Sequence, residues 1–560
     1  MQQSSAWPIS TGFEGDSNLR TIQHKKNIDE KQPLERPRRA NYFLASAFAA
    51  LAAGLIAALL SVALMGVLRL AAGVPAPVEL LGDHVLKQLT VYQFVDLLLK
   101  FSPHAKTIPL GLTLLSMIGL GTVLGLPYSA FVRPTLPATS SRPSRRAWLV
   151  AALLALIMTA AAIILFWGEI AQNFLGLPLE WARIVTIAGL LADFSLYSLI
   201  LCLLYHILLP KQQIDSQADL KIQRRRRQFL ARAGVAALSI GSVAGAGGVV
   251  KAFLNNYAAY DGSETFPIRG FTAPITPNSE HYVVTQNPID PAVDTAIWRL
   301  EVGGLVDRPG TYTYQEIQNL PSVSRAITLE CIASGVGGHL ISTAIWQGVR
   351  LQTLLERHGD AQASARYIAF YSVDGYTVSL PLNEVLAVDP ILAWRMNGVE
   401  LPMRHGYPLR VLIPGRYGEE NPKWLTRIEL TDHFVGGLYA DQGWYNGPLH
   451  TITRIDRPFG HIPFSSRVQI GGIAFAGNRG ISKVEISVDG GATWNTAKLD
   501  PPLSQDMWVL WAWEWTPLLP GRYTLVARST DGTGALQTSK KTGTVPGGGT
   551  GYHSITVQVG

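Results

Sequence analysis

At 560 residues the chain is long enough for several domains, and its composition is uneven: the first 255 residues hold nearly all the long apolar runs, while the rest is a soluble mixture rich in Gly, Pro and Trp. The formal net charge of +7 is carried by basic residues that cluster beside the apolar runs. That is the pattern of membrane topology, and it argues against a nucleic-acid partner.

Residues 1–40 are polar and carry Lys25, Lys26, Lys31, Arg36, Arg38 and Arg39 without sustained periodicity, as expected of a cytoplasmic tail. Residues 41–210 contain four apolar runs, at about 42–70, 107–131, 147–168 and 183–209. Each is long enough to cross a hydrocarbon core of roughly 30 Å. Asp193, inside the fourth, is an ionisable residue at membrane depth and so a functional candidate, with no partner evident in the sequence. Between the first two runs, residues 85–100 are interrupted by polar side chains and read as an amphipathic helix on the membrane surface. Arg133, Arg142, Arg145 and Arg146 between the second and third runs, against Glu169, Glu180 and Arg183 between the third and fourth, put the N-terminus in the cytoplasm.

Residues 211–256 begin with a basic stretch that returns the chain to the cytoplasmic side. Arg226-Arg227-Gln-Phe-Leu, ahead of the apolar, small-residue run 231–254, has the form of an internal twin-arginine export signal and also serves as a fifth span. Both readings put everything after about residue 256 outside the cytoplasm.

From 257 to 455, strand-like pieces such as Trp298-Arg-Leu-Glu-Val302 alternate irregularly with short helical ones such as Leu351–Arg357, the order of an α+β domain. Residues 456–560 are a series of short strands with a hairpin turn at Asp489-Gly-Gly491, which points to an immunoglobulin-like β-sandwich.

Cys331, in Thr328-Leu-Glu-Cys-Ile-Ala-Ser-Gly-Val-Gly-Gly-His339, is the only cysteine outside the apolar N-terminal part; the other, Cys202, lies in the fourth run. If that run spans a bilayer the two sulfurs cannot meet within one chain, so Cys331 is a buried small residue, a free thiol or a ligand. Downstream stand Asp374-Gly-Tyr376, Met396-Asn-Gly398, His405-Gly-Tyr-Pro-Leu-Arg410 and Pro422-Lys-Trp-Leu425. In this order, over roughly residues 265–560, these motifs resemble the molybdopterin-dependent oxidoreductases of the sulfite oxidase superfamily.

The resemblance implies molybdopterin as cofactor and Cys331 as the thiolate on molybdenum, a soft ligand for such a centre. It implies Arg410 and Lys423, with His405 and Asn421 beside them, around the pterin phosphate. Asn278, His281, Tyr282 and Thr285 match the first cofactor loop of the family. Asp374 matches a pterin contact and Tyr376 an active-site tyrosine able to donate or pass a proton. Sulfite oxidases follow the cysteine with Cys-Ala-Gly-Asn-Arg-Arg. Here Cys331-Ile-Ala-Ser-Gly-Val-Gly-Gly338 offers no cation, which counts against sulfite as the substrate.

No haem is expected, since only His206 lies clearly within a span and no Cys-x-x-Cys-His is present. Electrons are therefore expected to pass to or from a separate partner protein or a quinone; the resemblance further implies a homodimer through the C-terminal domain. The reading that follows is an extracytoplasmic, membrane-tethered oxidoreductase transferring an oxygen atom to or from a small sulfur-containing or similar molecule. Its rivals are a sulfoxide reductase running in the reductive direction and a cofactor-free, membrane-anchored binding module.

Overall fold

The computed structural model describes residues 39–94, 107–136, 140–211, 270–286, 290–359 and 361–560, with the single positions 96, 138, 241 and 248. Arg226, Arg227 and all but two positions of the expected fifth span lie outside the described residues.

The N-terminal part is a bundle of α1 (Arg39–Ala72), α2 (Pro77–Leu86), α3 (Thr107–Val132), α4 (Arg145–Leu165) and α5 (Leu179–Leu208). All but α2 are long and apolar enough to cross a membrane, the shortest such stretch being 21 residues; at a rise of 1.5 Å each, that is roughly 30 Å. Helix α1 packs on α3 and α5, and α4 packs on α5. The α1–α3 approach is close because the facing residues are small: a Cβ at Gly125 would lie 2.1 Å from the Ala50 carbonyl oxygen.

Asp193 has a partner that the sequence did not reveal. Ser61 Oγ on α1 lies 2.8 Å from both of its carboxylate oxygens. A second buried polar link joins Arg69, at the end of α1, to Glu79 on α2 at 3.2 Å, with the guanidinium 3.3 Å from the centroid of the Phe174 ring. Glu79 also accepts the Ala76 N–H at 2.8 Å, which with Pro77 in the first helical position fixes the start of α2.

The expected surface helix over 85–100 differs in the structure. Helix α2 ends at Leu86, a turn follows, and residues 91–94 are helical again. This segment lies against protein: Phe94 meets Tyr439 and Trp444 edge-on at about 6 Å, and Gln442 Nε2 donates to the Leu86 carbonyl at 3.0 Å. Val91 and Phe94 are therefore buried in tertiary packing, with Leu86 and Leu89 partly so, while Val85 and Tyr92 stay exposed.

The middle part is α+β, as expected. One mixed sheet has the order β2 (Gly310–Tyr312), β1 (Leu300–Gly304), β10 (Leu425–Thr431), β5 (Tyr367–Ser372), β6 (Thr377–Pro381), with β1 parallel to β10. The second sheet runs β3 (Ser322–Glu330), β4 (Ile341–Arg350), β7 (Ile391–Met396), β8 (Val399–Glu400), with β9 (Arg410–Leu412) on β7. Trp298, Val349, Phe370, Trp394, Val411 and Ile428 belong to one shared core, so strands from both sheets are held in fixed relation.

The C-terminal part is a sandwich of two sheets. One contains β11 (Ile452–Arg457), β13 (Val468–Phe475), β17 (Val509–Trp515) and β16 (Lys498–Leu499). The other contains β12 (His461–Ile462), β19 (His553–Val559), β18 (Gly521–Asp531), β14 (Ile481–Ser487) and β15 (Asn495–Thr496). Ile470 and Trp511 from the first meet Val484, Leu525 and Val557 from the second in the core between them.

The end of the bundle is fastened to the middle domain by backbone hydrogen bonds. Asn173 N–H donates to Val373 O at 3.3 Å, Ala292 N–H to Phe174 O at 3.1 Å and Asp294 N–H to Leu175 O at 3.0 Å. These bonds bring α2 over the ends of β3 and β5, where the site lies.

Candidate active site

Cys331 follows the last residue of β3. Its N–H donates to Leu340 O at 2.9 Å and its carbonyl accepts the Ser334 N–H at 2.8 Å, which closes the loop between β3 and β4 around the thiol. The thiol is buried, and burial, with Glu419 and Glu330 nearby, pushes its pKa up to about 12. Both cysteines are free thiols.

Asp374 and Tyr376 come from the β5–β6 hairpin. The turn needs Gly375, whose φ of 77° is left-handed and whose absent Cβ would lie 2.5 Å from Gln172 Nε2 of the bundle. Asp374 Oδ1 accepts the Tyr376 N–H at 3.1 Å, and the Tyr376 hydroxyl donates to the Glu419 main-chain carbonyl at 2.6 Å. Burial holds this phenol well above its ordinary pKa, so it stays a proton donor.

A cationic end lies beside this group. Arg410, on β9, is 4% exposed; its two terminal nitrogens donate to the carbonyls of His405 and Asn421, each at 3.1 Å. Burial lowers its pKa to about 10. Lys423 Nζ donates to Arg404 O at 3.1 Å and lies 4.2 Å from the centroid of the Trp424 ring. His281 meets His405 edge-on at 5.0 Å and stacks on Tyr282. Burial pulls His281 to about 3 and His405 well below its ordinary range, leaving both neutral.

These side chains line one cavity of about 450 Å³. Ten of the eleven site residues expected from the sequence border it: Cys331, Tyr376, His281, Tyr282, Thr285, Asp374, His405, Arg410, Asn421 and Lys423. Asn278 does not; its side chain donates to Met396 O and accepts from Asn397 Nδ2 at 2.7 Å, tying the loop to the turn after β7. The Asn421 side chain is likewise engaged by its own loop, accepting the Ile413 N–H at 2.6 Å and donating to Tyr417 O at 2.7 Å.

Other residues at the cavity went unnoticed in the sequence. Glu419 stands two positions before Asn421 and borders the same cavity, and burial raises its carboxyl well above the ordinary range. Its closeness to the Asn-Pro-Lys-Trp motif was the available signal. Tyr439 and Trp444 also line the cavity, as does Asp83 on α2. Asp83 gave no local signal, being brought in by tertiary contact alone.

The donor set fits a molybdopterin. Arg410 Nε is buried with no hydrogen-bond partner among the described residues, as the end that meets a phosphate requires, and a soft sulfur stands apart from it in the same cavity. Residues 286–439 match the oxidoreductase molybdopterin-binding domain family, and residues 456–559 match the Mo-co oxidoreductase dimerisation domain family. The catalytic part of this chain is a molybdopterin oxidoreductase of the sulfite oxidase family.

Among curated relatives, this molybdopterin oxidoreductase region is 28% identical over 290 residues to Nitrate reductase (NADH) 1 of Phaseolus vulgaris, covering 40% of this chain and 32% of that protein. It is 29% identical over 304 residues to Inducible nitrate reductase (NADH) 2 of Glycine max, covering 43% and 34% respectively. The chain thus spans about a third of the length of these relatives. Among solved structures, the sulfane dehydrogenase SoxCD of Paracoccus pantotrophus aligns with a TM-score of 0.46 and 23% identity, covering 49% of this chain and 77% of that one.

Proposed function

We propose that the protein is a membrane-tethered molybdopterin oxidoreductase that moves an oxygen atom to or from a small sulfur-containing or similar substrate, with its catalytic domain on the extracytoplasmic side. The observation that carries this reading is a single cavity holding Cys331, Tyr376 and a cationic end, with one wall built by a bundle whose long helices suit a membrane. When bound, the cofactor supplies a molybdenum centre that exchanges oxygen and two electrons with the substrate.

The chain's own residues have separable roles. Arg410 and Lys423, with His281 and His405, hold the anionic end of the cofactor, and Cys331 offers its sulfur to the metal. Tyr376, kept neutral by burial, donates or passes the proton that oxygen transfer to or from a substrate requires. Helix α2 keeps bulk water from the metal end. The names of the plant relatives, nitrate reductases, support the reductive direction, as in a sulfoxide reductase. The basic loops support a cytoplasmic N-terminus, and the match of residues 456–559 to a dimerisation family supports a homodimer. Electrons come from a separate protein or a quinone.

Metal and pterin analysis of the purified full chain, followed by a screen of sulfoxides, sulfite and nitrate with a dye electron carrier, tests the reading. Stoichiometric molybdenum with turnover of a member of the panel is expected. Folded protein without molybdenum or pterin would leave only the binding-module reading.

A further inference from the structure

The cavity is divided by chemistry. Its inner side carries Cys331, Tyr376 and the cationic residues of the molybdopterin domain, whereas its outer side is supplied by the bundle: Val78, Leu81, Val85, Leu86 and Leu89 from α2 and the turn after it, and Phe94 beyond. Thr113, in the first turns of α3, also lines it. Val85 is 46% exposed, and Leu112, next to Thr113, is 53% exposed, so the apolar rim continues onto the outer face of a helix suited to lipid. A site meant only for small, charged oxyanions has no use for such a wall, because apolar surface neither solvates nor pairs their charge.

Two carboxylates of α2, Glu79 and Asp83, interrupt the wall, and Glu79 is already paired with Arg69 at 3.2 Å. Asp83 on α2 accepts a hydrogen bond from Gln172 Nε2 at 3.0 Å, and Gln172 packs against the Asp374-Gly375-Tyr376 turn. We propose that the outer half of this cavity is a binding site for a neutral, membrane-soluble molecule with an apolar body and a hydrogen-bond-accepting oxygen at its polar end, admitted past Val85 between α2 and the start of α3. The apolar body lies on the 78–94 wall and the accepting oxygen meets Asp83. Burial raises the Asp83 carboxyl to about 7, so near neutral pH a large share of it carries the proton needed to donate to such an oxygen.

Two sources share this chemistry: a quinone serving as electron carrier, and a sulfoxide with a long apolar substituent serving as substrate. The site rests on the reading of the cavity as the active site but makes a separate claim about what reaches it.

The test uses the full chain in lipid nanodiscs, with a photoreactive decyl-quinone and a photoreactive decyl aryl sulfoxide as probes and molybdenum content measured on every sample. We expect at least one probe to label residues 78–94 or 281–286 saturably, with a tenfold loss of label under excess unlabelled compound. Saturable labelling by the quinone alone identifies the electron carrier; by the sulfoxide alone, the substrate; by both, a shared site. Val85→Trp, a change at the exposed rim, should reduce labelling at least fivefold while molybdenum content is unchanged. Labelling that excess compound does not displace, that spreads evenly along α3 and α4, or that Val85→Trp leaves intact would overturn the proposal. If Val85→Trp does not accumulate, competition in the unaltered protein decides alone. Absence of molybdenum would instead strike at the enzymatic reading, which keeps the two failures distinct.

Discussion

Tyr376 and Glu419 are joined by a 2.6 Å hydrogen bond from phenol to main-chain carbonyl, which ties the β5–β6 hairpin to the turn that precedes Asn421. Through it, the residue assigned to proton donation is held by the segment that also accepts from Arg410. Tyr376→Phe keeps the ring and removes the donor. The expected result is a fall in kcat of roughly 10²- to 10⁴-fold, the usual share of a positioned acid. The unpaired Glu419 carbonyl adds a stability loss of about 1–3 kcal/mol. Molybdenum content should stay near that of the parent protein. Retained kcat with lowered stability alone would assign Tyr376 a purely structural role.

Arg410 and Lys423 should not be equal. Arg410 is buried with an unpaired Nε, whereas Lys423 is partly exposed. Removing one partner of a buried charged contact typically costs about 3–5 kcal/mol, and an exposed pair contributes about 1 kcal/mol or less. Arg410→Ala is therefore expected to lose most of its pterin during purification, and Lys423→Ala only part, as read by pterin fluorescence after oxidation. Equal retention in both variants would contradict the phosphate assignment of Arg410.

Asp83 ties stability to pH. Its folded-state pKa lies near 7 against an ordinary 3.8, raised by burial and by Glu79 and Asp374, and opposed by Gln172 and Lys87. Because the folded state holds this proton more tightly, the stabilising contribution is fully present below about pH 4 and is lost as pH rises through about 7. The slope in that window is about 1.4 kcal/mol per pH unit at most. Asp83→Asn cannot ionise, so its melting temperature should fall less than that of the parent protein between pH 4 and 7. Parallel melting curves for the two proteins would show that Asp83 does not titrate in this range.

Arg226 and Arg227 carry the export expectation. The twin-arginine signal depends on the arginine pair itself, while an anchor on the cytoplasmic face depends only on charge, which lysine retains. Changing both to Lys should leave the first four spans inserted but keep the molybdopterin domain in the cytoplasm, protected from protease added outside. A reporter fused after Arg146 should read cytoplasmic, and one after Gly560 extracytoplasmic in the parent protein. Protease access to the domain in the Lys variant would reduce the pair to an anchor.

The elements visible in the sequence were those set by local pattern. The four long helices announced themselves by unbroken apolar length, and the strands of the C-terminal sandwich by alternation and turn residues such as Asp489-Gly-Gly491. Motif order in 331–425, with the loop at 281–285, pointed to ten residues that border the cavity, while Glu419, Tyr439 and Trp444 of the same domain were missed. What could not be read was contact between distant parts of the chain. Residues 85–94 look amphipathic whether their apolar side meets lipid or Tyr439 and Trp444. The Ser61 partner of Asp193 lies 132 positions away. Asp83 belongs to the site only because Gln172, Asn173 and Phe174 fasten the bundle to the β5–β6 hairpin and the Ala292 loop.

Cys331→Ser separates the roles open to that residue. Serine nearly preserves volume while replacing a soft thiolate with a hydroxyl that ionises poorly. A thiol that merely packs in the loop after β3 would tolerate the change, with a small stability loss and unchanged turnover. The buried, electronegative setting beside Glu330 and Glu419 keeps the free thiol protonated, up to about 12, so a cation must displace that proton for sulfur to bind as thiolate. As a metal ligand, Cys331 therefore has no substitute in serine, and turnover should collapse while Arg410, Lys423 and the histidines still retain the pterin. The visible absorption arising from the thiolate–metal bond should vanish with it. An active variant whose spectrum matched that of the parent protein would remove Cys331 from the metal.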